Sequence, residues 1–160
     1  MKQFIVFLFA ISLMACSGGG DPAPTPTPPP IPTVSVATLV KKAWTASSAQ
    51  WDGVVKYDKT STSNVVQGYS QYKLDLSTAG SVTLTEFDGK IFTGSYTVAT
   101  DGLSLTLNGL TSADGAPTGT GGTISYTILS TPTATGLSLQ QTTAYVKASS
   151  AIVKLALVNP

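Results

Sequence analysis

From Thr33 to the end of the chain, apolar residues recur at every second position rather than with the 3.6-residue period of a helix. The alternation is clearest in Tyr72-x-Leu74-x-Leu76, Val82-x-Leu84, Phe92-x-Gly94-x-Tyr96-x-Val98 and Leu103-x-Leu105-x-Leu107. It returns in Ile124-x-Tyr126-x-Ile128, in Leu137-x-Leu139 and around Ile152–Val158. Each run has one apolar face and one face of Ser, Thr or Lys, as in antiparallel strands buried on one side. Turn pairs separate the runs: Asp52-Gly53, Ala79-Gly80, Asp88-Gly89, Asp101-Gly102, Asn108-Gly109 and Asp114-Gly115. Asp-Gly and Asn-Gly tolerate the positive φ of tight hairpins, so several of these pairs join neighbouring strands directly. The pattern predicts strands near residues 41–51, 53–58, 69–76, 81–87, 90–99, 103–108, 122–129, 136–146 and 150–158. Val34–Val40 fits either a short helix or a short strand.

Eight or nine short strands with tight turns predict an all-β domain over residues 34–160. The fold class expected is an antiparallel up-and-down barrel, with a two-sheet sandwich as the alternative. The last run, residues 151–158, is apolar on both faces apart from Lys154. Such a strand belongs in the centre or at the closure of a sheet, because an exposed edge that apolar invites aggregation. The segment 111–122, rich in Gly, Ser and Thr, reads as a long loop at an open end. Alternating segments are also the mark of transmembrane barrels. Against that reading, the chain has 13 aromatic residues, several of them before residue 16, too few for two interfacial girdles.

The alternation is absent before Thr33. Lys2 precedes an apolar stretch from Phe4 to Leu13, and Leu13-Met14-Ala15 leads into Cys16. A charged start, a short apolar run and a small residue are the parts of a secretory signal, here residues 1–15. Leu-x-Ala before the single cysteine resembles the lipobox of bacterial lipoproteins, which implies that Cys16 is acylated and begins the mature chain. Gly18–Gly20 and the proline-rich run 21–33 then form a tether. In polyproline II, at about 3.1 Å per residue, thirteen residues would span roughly 40 Å. The expected location is the outer membrane, held by lipid, facing the periplasm or the cell exterior.

Charge and composition narrow the chemistry. All 9 basic residues are lysines, against 8 acidic ones, and the formal net charge is +1. Without a basic face or any arginine for bidentate contacts, nucleic acid is not an expected partner. Histidine is absent, which removes the commonest general base and the commonest transition-metal ligand. The lone thiol is the expected acylation site, so no disulfide, thiolate nucleophile or zinc cluster is expected. No cofactor, metal or enzymatic activity is expected. Glu86 and Asp88 flank Phe87 and share a face of an extended strand, which invites a glycosidase reading. Asp88 belongs to an Asp-Gly turn, however, where its side chain commonly caps the local backbone.

Leu39-Val40-Lys41-Lys42-Ala43-Trp44, then Trp51-Asp52-Gly53 and a second strand, resembles the lipocalin-like domains of Gram-negative lipoproteins. So do Tyr69–Leu76, Phe92–Val98 leading into Leu103-Ser104-Leu105, and Thr135–Leu139. The resemblance covers roughly residues 39–158. Lys42-Ala43-Trp44 has lysine where the Gly-x-Trp of true lipocalins has glycine. The resemblance implies a barrel. Large aromatics commonly fill small-barrel interiors, so Trp44, early in the first strand, is expected to plug the closed end, with a ligand role as the alternative. Trp51, beside the Asp52-Gly53 turn, is expected to pack over the mouth, with stacking on a sugar ring or a partner surface as the alternative. A non-catalytic binding role is expected, in one of two forms. Either the barrel holds a small hydrophobic or amphipathic ligand, lined by Tyr72, Leu74, Tyr96, Leu105 and Tyr126. Or the interior is solid, and the surface engages a protein or glycan.

Overall fold

The computed structural model describes residues 34–160, and the structural statements below concern those residues. Cys16, the signal segment 1–15 and the tether 16–33 lie outside them. The described part begins with a four-residue helix, α1 (Val36–Leu39), whose N-cap Ser35 accepts the Thr38 N–H at 3.3 Å. Nine strands follow: β1 (Ala43–Trp51), β2 (Val54–Asp58), β3 (Lys73–Asp75), β4 (Ser81–Thr85), β5 (Ile91–Val98), β6 (Ser104–Thr111), β7 (Ile124–Ile128), β8 (Gly136–Gln141) and β9 (Val153–Val158).

Every pairing is antiparallel, and β1 is the seam. One of its edges pairs with β9, from Thr45↔Val158 to Trp51↔Val153. The other edge is shared: Ala43–Thr45 pairs with β3 and Ser48–Trp51 with β2. From β3 the sheet runs β4-β5-β6-β7-β8-β9 and closes on β1. The result is an eight-strand up-and-down barrel with β2 as an extra strand, not a sandwich. The doubly apolar last strand is the closing one, as its pattern predicts. The free edge of β2 is covered by the loop after it. Val66 donates its N–H to the Lys56 carbonyl at 3.0 Å, and the Asn64 side chain accepts the Asp58 N–H at 2.7 Å. This blunts the one edge that closure leaves exposed.

Four strand limits differ from the sequence expectation by three residues or more. Residues 67–71 wind into a 3-10 turn instead of opening the third strand, which starts at Lys73. The turn packs so tightly that a Cβ on Gly68 would sit 2.0 Å from the Phe87 carbonyl oxygen. Asn108-Gly109 does not end the sixth strand. Gly109, at φ 60°, carries β6 through a bulge to Thr111, opposite Gly94. The expected strand 136–146 stops at Gln141, and the expected strand 150–158 starts at Val153. Between them, residues 142–152 form a strap with a 3-10 turn at Val146–Ala148, followed by Ser149 and Ser150 at φ 57° and 60°. Left-handed backbone cannot continue a ladder.

Alternate residues of each strand fill the interior, led by Leu74, Leu84, Leu105, Leu107, Leu137, Leu139 and Leu155. The end of the barrel holding the start of β1 and the ends of β3 and β5 is its base. There Trp44 is fully buried and donates its indole N–H to the Val40 carbonyl at 2.8 Å. Tyr96 donates to the Leu76 carbonyl at 3.2 Å. The opposite end, the mouth, carries the end of β1, the β4–β5 turn, the loop 112–123 and the strap.

Candidate functional site

The mouth is where polar groups enter the barrel. Val82 and Leu84 on β4 point inward, and the next residue in phase is Glu86, only 2 % exposed. A carboxylate there needs partners, since burying an unpaired charge costs several kcal/mol. The strap supplies them. Tyr145 donates its hydroxyl to Glu86 Oε1, and Lys147 donates to Oε2. Lys147 also reaches Asp88 Oδ2 at 2.8 Å. Asp88 keeps its turn role as well, its Oδ1 accepting the Lys90 N–H at 3.1 Å.

The electrostatics follow from this geometry. Burial alone would depress the Lys147 ammonium, but the hydrogen bonds and charges of Asp88 and Glu86 outweigh it and raise its pKa. Burial alone would likewise raise Asp88, and Lys147 with the Lys90 N–H outweighs it, holding Asp88 below the usual carboxylate range. Tyr145 is pushed well up, by burial first and then by the carboxylate it donates to.

Beside this clamp lies an aromatic cluster. Trp51, at the end of β1, donates its indole N–H to the Tyr69 hydroxyl at 2.9 Å. The Tyr69 ring stacks on Phe87 at 4.8 Å, and Trp51 meets Phe87 at 6.1 Å and 56°. Lys56 stands 5.7 Å from the Trp51 ring centroid. Trp51 thus packs over the mouth, the role its place beside the Asp52-Gly53 turn predicts. Deeper in, the Tyr72 and Tyr126 hydroxyls are 3.4 Å apart. Burial pushes Tyr126 up to about 12 and moves Tyr72 strongly in the same direction. Gln141, the inward residue after Leu137 and Leu139, is 6 % exposed, and its Oε1 has no hydrogen-bond partner among the described residues.

All five residues expected to line a cavity are buried, but they do not share one. Tyr72 and Tyr126 face a common space with Tyr69, Glu86, Gln141 and Tyr145. Leu74, Leu105 and Tyr96 are packed into the core away from it. That space measures about 10 Å³, the size of a single water site. Ligand pockets run to about 300 Å³ and more. As chemistry, the cluster is a clamp: Glu86 faces no open cleft, and both it and Asp88 are tied to Lys147. Sequence reasoning singled out Glu86 and Asp88 but missed Tyr145, Lys147 and Gln141 as their company.

No family model matches the chain, and no curated protein matches it. Among solved structures it is similar to a lipocalin-like protein from Bacteroides uniformis, at 13% identity and a TM-score of 0.48, over 76% of this chain and 99% of that one. It is also similar to an uncharacterized protein from Bacteroides eggerthii, at 15% identity and a TM-score of 0.45, over 74% and 98%.

Proposed function

We propose that this protein is a lipid-anchored, non-catalytic binding module that works through its outer surface rather than by carrying a ligand inside the barrel. The anchor is the acylated Cys16, the spacer is the proline-rich tether, and the site of action is the outer membrane. The observation that carries the reading is the filled interior. The space inside the barrel mouth is about 10 Å³, with Glu86 and Tyr145, bonded to each other, in its wall; the larger depression beside it, about 340 Å³, lies outside between residues 119–125 and the strap and is lined mostly by Thr, Ser and Gln. A carrier of hydrophobic molecules needs roughly thirty times the interior volume. The outward residues of the wall are mostly Ser and Thr, which suits contact with water and polar partners rather than lipid chains.

Native mass spectrometry of freshly purified protein, with a thermal-shift panel of fatty acids, sterols and aromatic amphiphiles, tests the interior. The expected result is no co-purified adduct and no stabilisation. A hydrophobic adduct that raises the melting temperature would overturn the solid-core reading in favour of a carrier. Membrane partition and the diacylglyceryl mass on Cys16, both lost in Cys16→Ser, test the anchor separately.

A further inference from the structure

We propose that Gln50, Lys154 and Gln140 form a surface site for a carboxylate-bearing sugar; the inference rests on the surface-binding reading above and names its ligand class. Of the nine strands, β1 and β4 through β9 together contain one charged residue, Lys154. Everything else facing outward from those seven strands is neutral. The one charge is not placed at random. Lys154 lies in register with Gln50 on β1 and with Gln140 on β8, so an ammonium stands between two primary amides on three adjacent strands.

These three residues line a groove of about 390 Å³ on the outer wall, together with Asp52, Gly53 and Ile152. The volume falls within the range of small-ligand sites. Lys154 takes part in none of the four ion pairs found among the described residues. Asp52, the acidic residue sharing the groove, is not paired with Lys154: its Oδ1 accepts the N–H of Ile152, also in the groove, at 2.9 Å, and its own N–H donates to the Ile152 carbonyl at 3.0 Å. The ammonium is therefore left to meet an anion from solution.

The geometry selects the kind of anion. Adjacent strands are about 4.8 Å apart, so the two amides bracket a width of roughly 10 Å. Each amide offers a donor and an acceptor. A ligand matching this has a carboxylate flanked by a hydroxyl on one side and an ether oxygen on the other, which is the pattern of a uronic acid, whose carboxylate-bearing carbon stands between a hydroxylated carbon and the ring oxygen. A single lysine with no arginine is poorly matched to a phosphate cluster. Half-buried Ile152 offers an apolar patch for the C–H face of a sugar ring.

The test is an amide and side-chain NMR titration of the full-length protein with glucuronate, glucose and acetate at matched ionic strength. Glucuronate is expected to shift the Gln50, Gln140 and Lys154 signals in the millimolar range. Glucose and acetate, each lacking half of the pattern, should bind at least about tenfold more weakly. Lys154→Met should weaken glucuronate to a similar degree and Lys154→Arg should retain it; the side chain is exposed, so neither change threatens the fold. Equal binding of glucose and glucuronate, unchanged binding by Lys154→Met, shifts confined to other residues, or no shifts at all would each overturn the site. A hydrophobic adduct in the interior would instead overturn the surface reading, and the two failures are told apart by where the signals move.

Discussion

Tyr145 on the strap donates its hydroxyl to Glu86 at the end of β4, a contact that spans 59 residues of sequence. Lys147 binds the other oxygen of the same carboxylate and then Asp88. The strap, which interrupts the ladder between β8 and β9, is thus pinned to the strand end by a buried polar knot. The same knot leaves the space beneath it at about 10 Å³.

Removing the carboxylate should loosen the strap. In Glu86→Leu, Tyr145 loses its acceptor, and Lys147, whose side chain is 15% exposed, keeps only Asp88. The expected loss in urea unfolding is about 2–3 kcal/mol. The double variant Glu86→Leu/Lys147→Met should recover part of it, because the mostly buried Lys147 ammonium is gone and Asp88, a third exposed, keeps the Lys90 N–H and water. A single variant as stable as the parent would mean that the knot contributes nothing to holding the strap.

Two glycines should tolerate no methyl group. A Cβ on Gly68 would lie 2.0 Å from the Phe87 carbonyl oxygen, and one on Gly94 would lie 2.5 Å from the Asn108 carbonyl oxygen. These are backbone atoms, which move only if the turn or the bulge moves with them. Gly68→Ala and Gly94→Ala should each cost about 1–3 kcal/mol by chemical denaturation. For Gly68→Ala the Trp51 emission should change as well, since the 3-10 turn carries the Tyr69 hydroxyl that Trp51 donates to. A loss below about 0.5 kcal/mol would show that these close approaches relax freely.

The barrel was legible because its information is local: a period of two gives the strands, and Asp-Gly pairs mark hairpins such as Asp52-Gly53. Asn108-Gly109 carries the same turn chemistry but serves a bulge. The difference lies in Gly94 on the neighbouring strand, which local reading cannot pair with it. The mouth was half legible. Phase alone places Glu86 inward after Val82 and Leu84, and Gln141 inward after Leu137 and Leu139. Their partners come from a strap in which left-handed Ser149 and Ser150 break the pattern, so periodicity could not place Tyr145 or Lys147. The Gln50–Lys154–Gln140 row was hidden for another reason: it is a matter of register between distant strands.

Gln141 should be replaceable at little cost. Its Oε1 is buried without a protein partner, and a buried polar atom without a hydrogen bond carries a desolvation penalty of about 1–3 kcal/mol. Gln141→Met keeps the length of the side chain and removes the amide. Stability should be unchanged or higher by up to about 1 kcal/mol. A loss of more than about 1 kcal/mol would show that the amide makes a hydrogen bond worth more than its desolvation.

Alkali should unfold this domain by way of its interior tyrosines. Burial is the leading cause of the raised pKa of Tyr69, Tyr72, Tyr126 and Tyr145, and Lys147 is raised as well by its carboxylates. In the unfolded chain the tyrosines ionise near pH 10. Between that value and each folded value, the unfolded state has lost a proton that the folded state retains. Stability must then fall as pH rises, by about 1.4 kcal/mol per pH unit for each such group, and Lys147 adds to the slope in the same direction. Below pH 10 the contribution is intact. At the acid end the sign reverses for Asp88, whose lowered pKa keeps its contribution until pH falls below about 4. An ultraviolet phenolate titration followed alongside circular dichroism should show these four tyrosines ionising together with loss of the β signal above pH 10. If they titrate reversibly near pH 10 with the barrel intact, the packed, closed mouth is wrong.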